Sequence, residues 1–416
     1  MLGFDYRENK LHCDGVSMQE MASRVDTPFY CYSADIIREH FCRYRDQFSM
    51  PDSVVCYAVK ANSNPSVLGL LGGLGAGADV VSAGEFRQAL DAGISPERIV
   101  FSGVAKTAAE MRFGLENDIF QFNVESESEL EALSRTATSL GCEAPVAFRI
   151  NPDIDAGTHE KITTGKAVNK FGISRSRASE VYARAAGLPG IRVQGIATHI
   201  GSQLTDLAPF EQSFRCHARL VQTLREQGHD ISVLDIGGGL GIDYRDGAPL
   251  PPRVESYAAL AREILEPLDC RILVEPGRSI VGEAGVLVSQ VIYVKEGEQV
   301  CFLIIDAGMN DLLRPSLYDA HHEITAVCPA GGTVRPYDVV GPVCETGDTF
   351  ARQLDLPPMS PGELVAIRNA GAYGAVMAST YNSRPLAPEV MVDEGRVSLV
   401  RRRIEADEEL VMDTLP

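Results

Sequence analysis

From Val54 onward, short apolar runs rich in β-branched residues alternate with longer amphipathic stretches, which restricts this part of the chain to parallel strands joined by crossover helices. About eight such runs occur, at 54–59, 78–82, 99–102, 120–124, 146–150, 195–199, 233–236 and 272–274. Eight strands are what a closed barrel requires. Helical stretches at 84–92, 108–117, 126–140, 177–186, 210–227 and 257–268 are each short enough for a single crossover, and a longer helix at 33–48 precedes the first strand. The rhythm changes after Gly277. Segments 286–294, 300–306, 323–327, 333–340, 364–368 and 397–402 read as strands with turns and few helices between them. The expected fold class is therefore α/β, a (β/α)8 TIM-like barrel at 30–276 followed by a C-terminal antiparallel β domain at 277–416. Residues 1–29 form an N-terminal segment whose strand-and-turn stretch at 4–13 is expected to return to the β domain.

The length of 416 residues suits a barrel of about 250 residues plus a smaller domain. A 45% hydrophobic and 23% charged composition is that of an ordinary globular chain. With 38 basic against 57 acidic residues, the net charge of -19 repels polyanions, so no nucleic-acid partner is expected. No apolar stretch approaches the roughly 18 residues of a membrane span, and the first ten residues carry no signal-like core. A cytoplasmic location follows as the expectation. The 10 cysteines include no C-x-x-C pair, and the tight clusters Cys216-His217 and His321-His322 suit ligation poorly, so neither disulfides nor a metal are expected.

Barrel enzymes work at the C-terminal ends of their strands. The ring of residues there comprises Lys60, Asp79 with Ser82, Arg149, His199 with Ser202, the run Gly237-Gly238-Gly239-Leu240-Gly241, and Glu275-Pro276-Gly277-Arg278. A lysine at the exit of a buried strand is suited to act as a Schiff-base nucleophile, although a snorkelling lysine has the same placement. The glycine run fits a phosphate cradle or a bare tight turn equally. His199 can stack on a planar cofactor or simply be a hydrogen-bonded strand-end residue, and Glu275 can pair with a protonated pyridine or serve as a cap. Their coincidence on one face describes a pyridoxal phosphate site.

At this point the chain resembles the diaminopimelate decarboxylases, members of the alanine-racemase-like (fold-type III) pyridoxal phosphate enzymes, nearly end to end. The resemblance is carried by Tyr57-Ala58-Val59-Lys60-Ala61-Asn62, Gly77-Ala78-Asp79-Val80-Val81-Ser82, Lys170-Phe171-Gly172, His199-Ile200-Gly201-Ser202-Gln203, the glycine run and Glu275-Pro276-Gly277-Arg278. In the β domain it continues through Met309-Asn310-Asp311-Leu312-Leu313-Arg314-Pro315, Tyr318, Cys344-Glu345 and Gly371-Ala372-Tyr373-Gly374. The Met-Asn-Asp block is the most specific of these. Thr346 and Leu386 depart from the pattern, where serine and a basic residue are common.

The resemblance implies that Lys60 links the cofactor covalently, His199 stacks on its ring and Glu275 faces its nitrogen. Asp79, Ser202, Gly237, Gly238, Gly239, Gly277, Arg278 and Tyr373 complete the cofactor surroundings. Arg278, Arg314, Tyr318, Glu345 and Tyr373 would bind the substrate, and Cys344 would donate a proton. The Cys-Glu pair would come from the neighbouring subunit of a homodimer. The implied reaction is decarboxylation of meso-2,6-diaminopimelate to L-lysine and carbon dioxide, the last step of lysine biosynthesis. Arginine suits the distal carboxylate that ornithine and lysine lack. A decarboxylase or racemase of another amino acid, or a catalytically silent regulatory homologue, is the alternative. The stretch 153–170, rich in Gly, Thr and charge, reads as a lid or a long connection.

Overall fold

The computed structural model describes residues 3–154, 170–244, 247 and 249–409. They fall into two compact units, one comprising 3–39, 243–244, 247 and 280–409, the other 40–154, 170–242 and 249–279. Most of the 153–170 stretch, at 155–169, lies outside the described residues.

In the second unit eight parallel strands close on themselves. Val54–Ala58, Gly77–Val80, Ile99–Phe101, Gln121–Val124, Ala144–Asn151, Ile191–Ala197, Val233–Asp235 and Arg271–Val274 pair in chain order, and the last pairs with the first. Every residue of Val54–Ala58 is buried, as a strand covered on both faces requires. Val54, Cys56, Val100, Val233 and Leu273 pack together in one apolar cluster. Caps set the helix starts: Ser82 Oγ accepts from Glu85 N–H at 3.2 Å, and Thr107 forms a reciprocal capping box with Glu110. Helix Pro65–Gly73 also crosses over, although three glycines mask its periodicity; Asn64 caps it and Pro65 opens it.

The other unit is a mixed sheet rather than a wholly antiparallel one. Its strands run Thr349–Leu356, Arg335–Val340, Cys301–Ile305, Gly285–Glu296, Phe29–Ser33, Glu389–Asp393 and Arg396–Arg401, with Leu364–Ile367 joining Gly285–Glu296 to Ile324–Ala326. Cys301–Ile305 pairs in parallel with Arg335–Val340, and Glu389–Asp393 with Phe29–Ser33. Neither pair is joined by a hairpin, so no short turn imposes antiparallel sense. Phe29–Ser33 straddles the expected boundary at residues 29 and 30. The N-terminal strands Phe4–Arg7 and Lys10–Cys13 lie in this unit, where Leu11 N–H donates to Val327 O at 2.8 Å and Leu11, Cys13 and Met18 pack against Phe29 and Val286.

Candidate active site

The first barrel strand ends at Ala58 and turns through a tight 3-10 segment, Val59–Ala61, which leaves Lys60 at the barrel's C-terminal mouth. Tyr57 Oη donates to Asn62 O at 3.0 Å and pins this turn. On the neighbouring strand Asp79 stands in register with Ala58. Its wholly buried carboxylate forms an ion pair with the Lys60 Nζ, and its second oxygen, Oδ1, is buried without a hydrogen-bond partner.

Two more carboxyls lie inside the barrel. Asp235 ends its strand, accepts from Gly237 N–H at 3.0 Å through Oδ1 and from Asn123 Nδ2 at 2.7 Å through Oδ2, and is hydrogen-bonded to Glu275. Asn123 also reaches Ser102 Oγ at 3.1 Å and Glu275 Oε1 at 3.5 Å. Burial, with Asp235 and Asp79 close by, pushes Glu275 well above the usual carboxylate range, while Lys60 opposes the rise. Burial likewise pushes Asp235 up. The pair therefore holds a proton on Glu275, which donates it to Asp235.

His199 is held neutral: burial, then the nearby Arg149 and Lys60 charges, push it well below its ordinary value. Its Nδ1 accepts from Gly238 N–H at 3.3 Å, which leaves the proton on Nε2. Arg149 Nη1 is ion-paired to Glu125 at 3.0 Å and its guanidinium lies 4.7 Å from the Phe171 ring centroid. In the glycine run, Gly237 and Gly239 have φ of +67° and +109°. A Cβ on Gly238 would lie 2.1 Å from the Glu275 carbonyl oxygen. Backbone packing alone thus requires glycine here, whatever else the turn binds. Arg278 Nη2 donates to Ser202 Oγ at 3.0 Å. Ser82 serves as a helix cap.

Lys60, Asp79, Asn123, Arg149, His199 and Glu275 line one cavity of about 190 Å³. Its chemistry fits a group with a carbonyl and a basic ring nitrogen: an amine nucleophile, a neutral imidazole, an unpartnered carboxylate oxygen and a protonated acid face the same space. Asp235 and Asn123 escaped the sequence reading. The available signal was Gln121 and Asn123 alternating with Phe122 and Val124, polar side chains on the inward face of a strand that should be apolar on both.

The remaining candidates belong to the β unit. Arg314 opens the short helix Arg314–Tyr318, is buried, and donates from Nη1 to Tyr244 Oη at 2.7 Å. The same nitrogen lies 3.1 Å from His322 Nε2, and His322 Nδ1 donates to Arg368 O at 2.8 Å, so Nε2 is the acceptor. Tyr318 closes that helix. Cys344 is exposed, with its N–H donating to Asn382 Oδ1 at 3.3 Å. Glu345 Oε1 accepts from Tyr381 Oη at 2.5 Å. Asp348, also missed, fixes this turn by accepting from Val343 N–H at 2.6 Å and Met309 N–H at 2.7 Å. Tyr373 sits at φ +56° in a turn where a Cβ on Gly371 would lie 1.9 Å from Val281 O. Among the described residues no cluster of metal-ligating side chains occurs and no helix is long and apolar enough to cross a membrane.

Residues 34–282 match the family described as pyridoxal-dependent decarboxylase, pyridoxal binding domain. The barrel is thus that of a pyridoxal phosphate-dependent decarboxylase. Over 416 residues the chain is 49% identical to the diaminopimelate decarboxylase of Zymomonas mobilis, covering 99% of this chain and 98% of the relative. The crystal structure of the Helicobacter pylori diaminopimelate decarboxylase complexed with L-lysine is 44% identical, with a TM-score of 0.90 over 94% of this chain and 97% of that one. The M. jannaschii diaminopimelate decarboxylase in co-complex with L-lysine is 35% identical, with a TM-score of 0.94 over 100% and 99% of the two chains. The chain belongs to the diaminopimelate decarboxylase family.

Proposed function

We propose that this protein decarboxylates meso-2,6-diaminopimelate to L-lysine as the last step of lysine biosynthesis, acting in the cytoplasm as a homodimer with shared sites. The observation that carries the reading is the convergence of Lys60, Asp79, His199 and Glu275 on one cavity at the strand ends. Pyridoxal phosphate, when bound, supplies an aldehyde and a conjugated ring that accepts the electron pair left by departing carbon dioxide. Lys60 would anchor that group through its amine, and Asp79 would orient the amine. Glu275 holds the proton that the ring nitrogen needs. His199, neutral through burial, flanks the ring without adding charge.

Ser202, the turn Gly237-Gly238-Gly239, Gly277, Arg278 and Tyr373 receive the phosphate. Arg314 and Arg278 bind the distal carboxylate of the substrate, Glu345 its ammonium, and Tyr318 and Tyr373 its chain. Breakage of the bond from Cα to the carboxylate releases carbon dioxide. Cys344, given by the partner subunit, then delivers a proton to Cα, and solvent returns that proton to the thiolate.

Purified protein given pyridoxal phosphate and meso-diaminopimelate is expected to release carbon dioxide and form lysine in equal amounts. Turnover of ornithine at the same rate, or absence of lysine, would overturn the substrate assignment. Epimerisation without carbon dioxide release would point to a racemase.

A further inference from the structure

Inside the barrel a row of side-chain amides ends on a carboxylate. Gln194 Nε2 donates to Gln121 Oε1 at 3.1 Å, Gln121 Nε2 donates to Asn123 Oδ1 at 2.8 Å, and Asn123 Nδ2 donates to Asp235 Oδ2 at 2.7 Å. Each amide in this row presents its oxygen to the previous donor and its nitrogen to the next acceptor. Such aligned donors polarise one another and favour an anion at the end. The anion is Asp235, which is 1% exposed.

Its other oxygen takes the Gly237 N–H at 3.0 Å, and Glu275 N–H donates to Gly237 O at 2.8 Å. The Asp235 side chain thus holds the start of the glycine turn, and the backbone carbonyl of that turn holds the residue carrying the acid. A buried acid that merely capped Gly237 N–H would need no amide row aimed at it, and an asparagine would serve as well.

We propose that Asp235 is a positioning residue that acts through Glu275: fixed as an anion by Asn123, it orients the Glu275 carboxyl and strengthens its hold on the proton shared with the cofactor's ring nitrogen. The inference rests on the pyridoxal phosphate reading of Glu275 given above. The charged groups facing Asp235 and Glu275 are Asp79 and Lys60, and the titratable groups beside them are the Cys56 thiol and the Tyr257 hydroxyl, both kept neutral by burial. An asparagine at 235 removes the anion and turns an N–H toward either Asn123 or Gly237. Glu275 then becomes a weaker base, and the proton on the ring nitrogen is lost at lower pH.

The test is a double-mutant cycle on the full-length apoprotein, read by titration with pyridoxal phosphate and by the visible absorbance of the loaded protein across pH. Asp235→Asn is expected to raise the cofactor dissociation constant by about 10-fold, the effect of losing one charge-assisted hydrogen bond. It should also move the absorbance transition to lower pH and reduce kcat with KM changed less than about 2-fold. In a Glu275→Gln background the same substitution should change the dissociation constant by less than about 2-fold. Equal losses in both backgrounds would make Asp235 a general packing residue and overturn the proposal. An unchanged titration and spectrum for Asp235→Asn, with Glu275→Gln impaired, would also overturn it. If Glu275→Gln itself leaves both readouts unchanged, the reading of Glu275 fails first and takes the inference with it. Asn123→Ala keeps the carboxylate and removes its donor, along with the Asn123 contacts to Gln121, Ser102 and Glu275. It repeats the cycle should Asp235→Asn not fold, with the same direction of change expected and additivity again the overturning result.

Discussion

The Asp79 carboxylate holds the Lys60 ammonium with one oxygen while its other, Oδ1, is buried without a hydrogen-bond partner. A half-satisfied buried carboxylate, its charge close to that of Asp235, opposes folding of the apoprotein. The same charge holds the lysine in place for the cofactor. Asp79→Asn should therefore leave the melting temperature of the apoprotein equal or higher while weakening cofactor binding by about 10-fold. Calorimetry of the apoprotein and cofactor titration check the two signs, and a loss in both would contradict this account.

Gly238→Ala tests what the glycine turn is for. The added Cβ, 2.1 Å from the Glu275 carbonyl oxygen, must displace backbone rather than a side-chain tip. Overpacking of this kind costs about 1–3 kcal/mol, so the apoprotein itself should lose stability before any cofactor is added. Chemical unfolding of the apoprotein measures it; an unaffected apoprotein with weakened cofactor binding would mean that the turn yields freely and serves the phosphate alone.

The eight barrel strands were legible because a parallel strand buried on both faces must be a continuous apolar run, and such runs stand out between amphipathic helices. Lys60, His199 and Glu275 were legible for a related reason: Lys60 and Glu275 follow directly on such a run and His199 closes one. Asp235 and Asn123 were not, since each sits within a run and reads as a tolerated interruption. Only their meeting across the barrel, at 2.7 Å, gives them meaning. Thr349–Leu356 was missed because most of its side chains are exposed or half-buried, as an edge strand allows, and no apolar pattern marks it. The parallel pairing of Phe29–Ser33 with Glu389–Asp393 joins opposite ends of the chain, beyond the reach of local patterns.

Stability of the β unit should depend on Asp311. Burial raises its carboxyl from the ordinary 3.8 to about 6, although it accepts from Gly308 N–H at 2.9 Å. Between those values the folded chain binds more proton than the unfolded one, so stability is full below pH about 4 and is lost as pH rises to about 6. The span corresponds to about 3 kcal/mol. Asp311→Asn keeps the acceptor and removes the titration. Urea unfolding at pH 4 to 7 should show the variant gaining on the wild type up to pH about 6 and holding a constant difference above it. A difference independent of pH would refute the assignment.

Arg314 is buried between the Tyr244 hydroxyl at 2.7 Å and His322 Nε2 at 3.1 Å, a setting that fixes the plane of its guanidinium. A lysine keeps the charge but not the fork. Arg314→Lys should raise KM for diaminopimelate by about 10- to 100-fold, the worth of a hydrogen bond to a charged group, with kcat less affected. Cofactor titration should be unchanged, and a KM within twofold of wild type would remove Arg314 from the substrate site.

Mixing two subunit variants distinguishes sites shared between subunits from sites made within one. Cys344 lies exposed on a turn that Asp348 holds by two backbone N–H groups, which suits a residue that works on another surface. Lys60→Ala removes the covalent anchor, and Cys344→Ala removes a proton donor worth about 100-fold in kcat. If each site takes Lys60 from one subunit and Cys344 from its partner, a mixed dimer has one site with both substitutions and one with neither. Equal amounts of the two inactive variants, dissociated and reassembled together, should then recover about a quarter of wild-type activity, because about half of the dimers are mixed and each has one intact site. Sites made within single subunits would give no recovery, since every site would still carry one of the two substitutions.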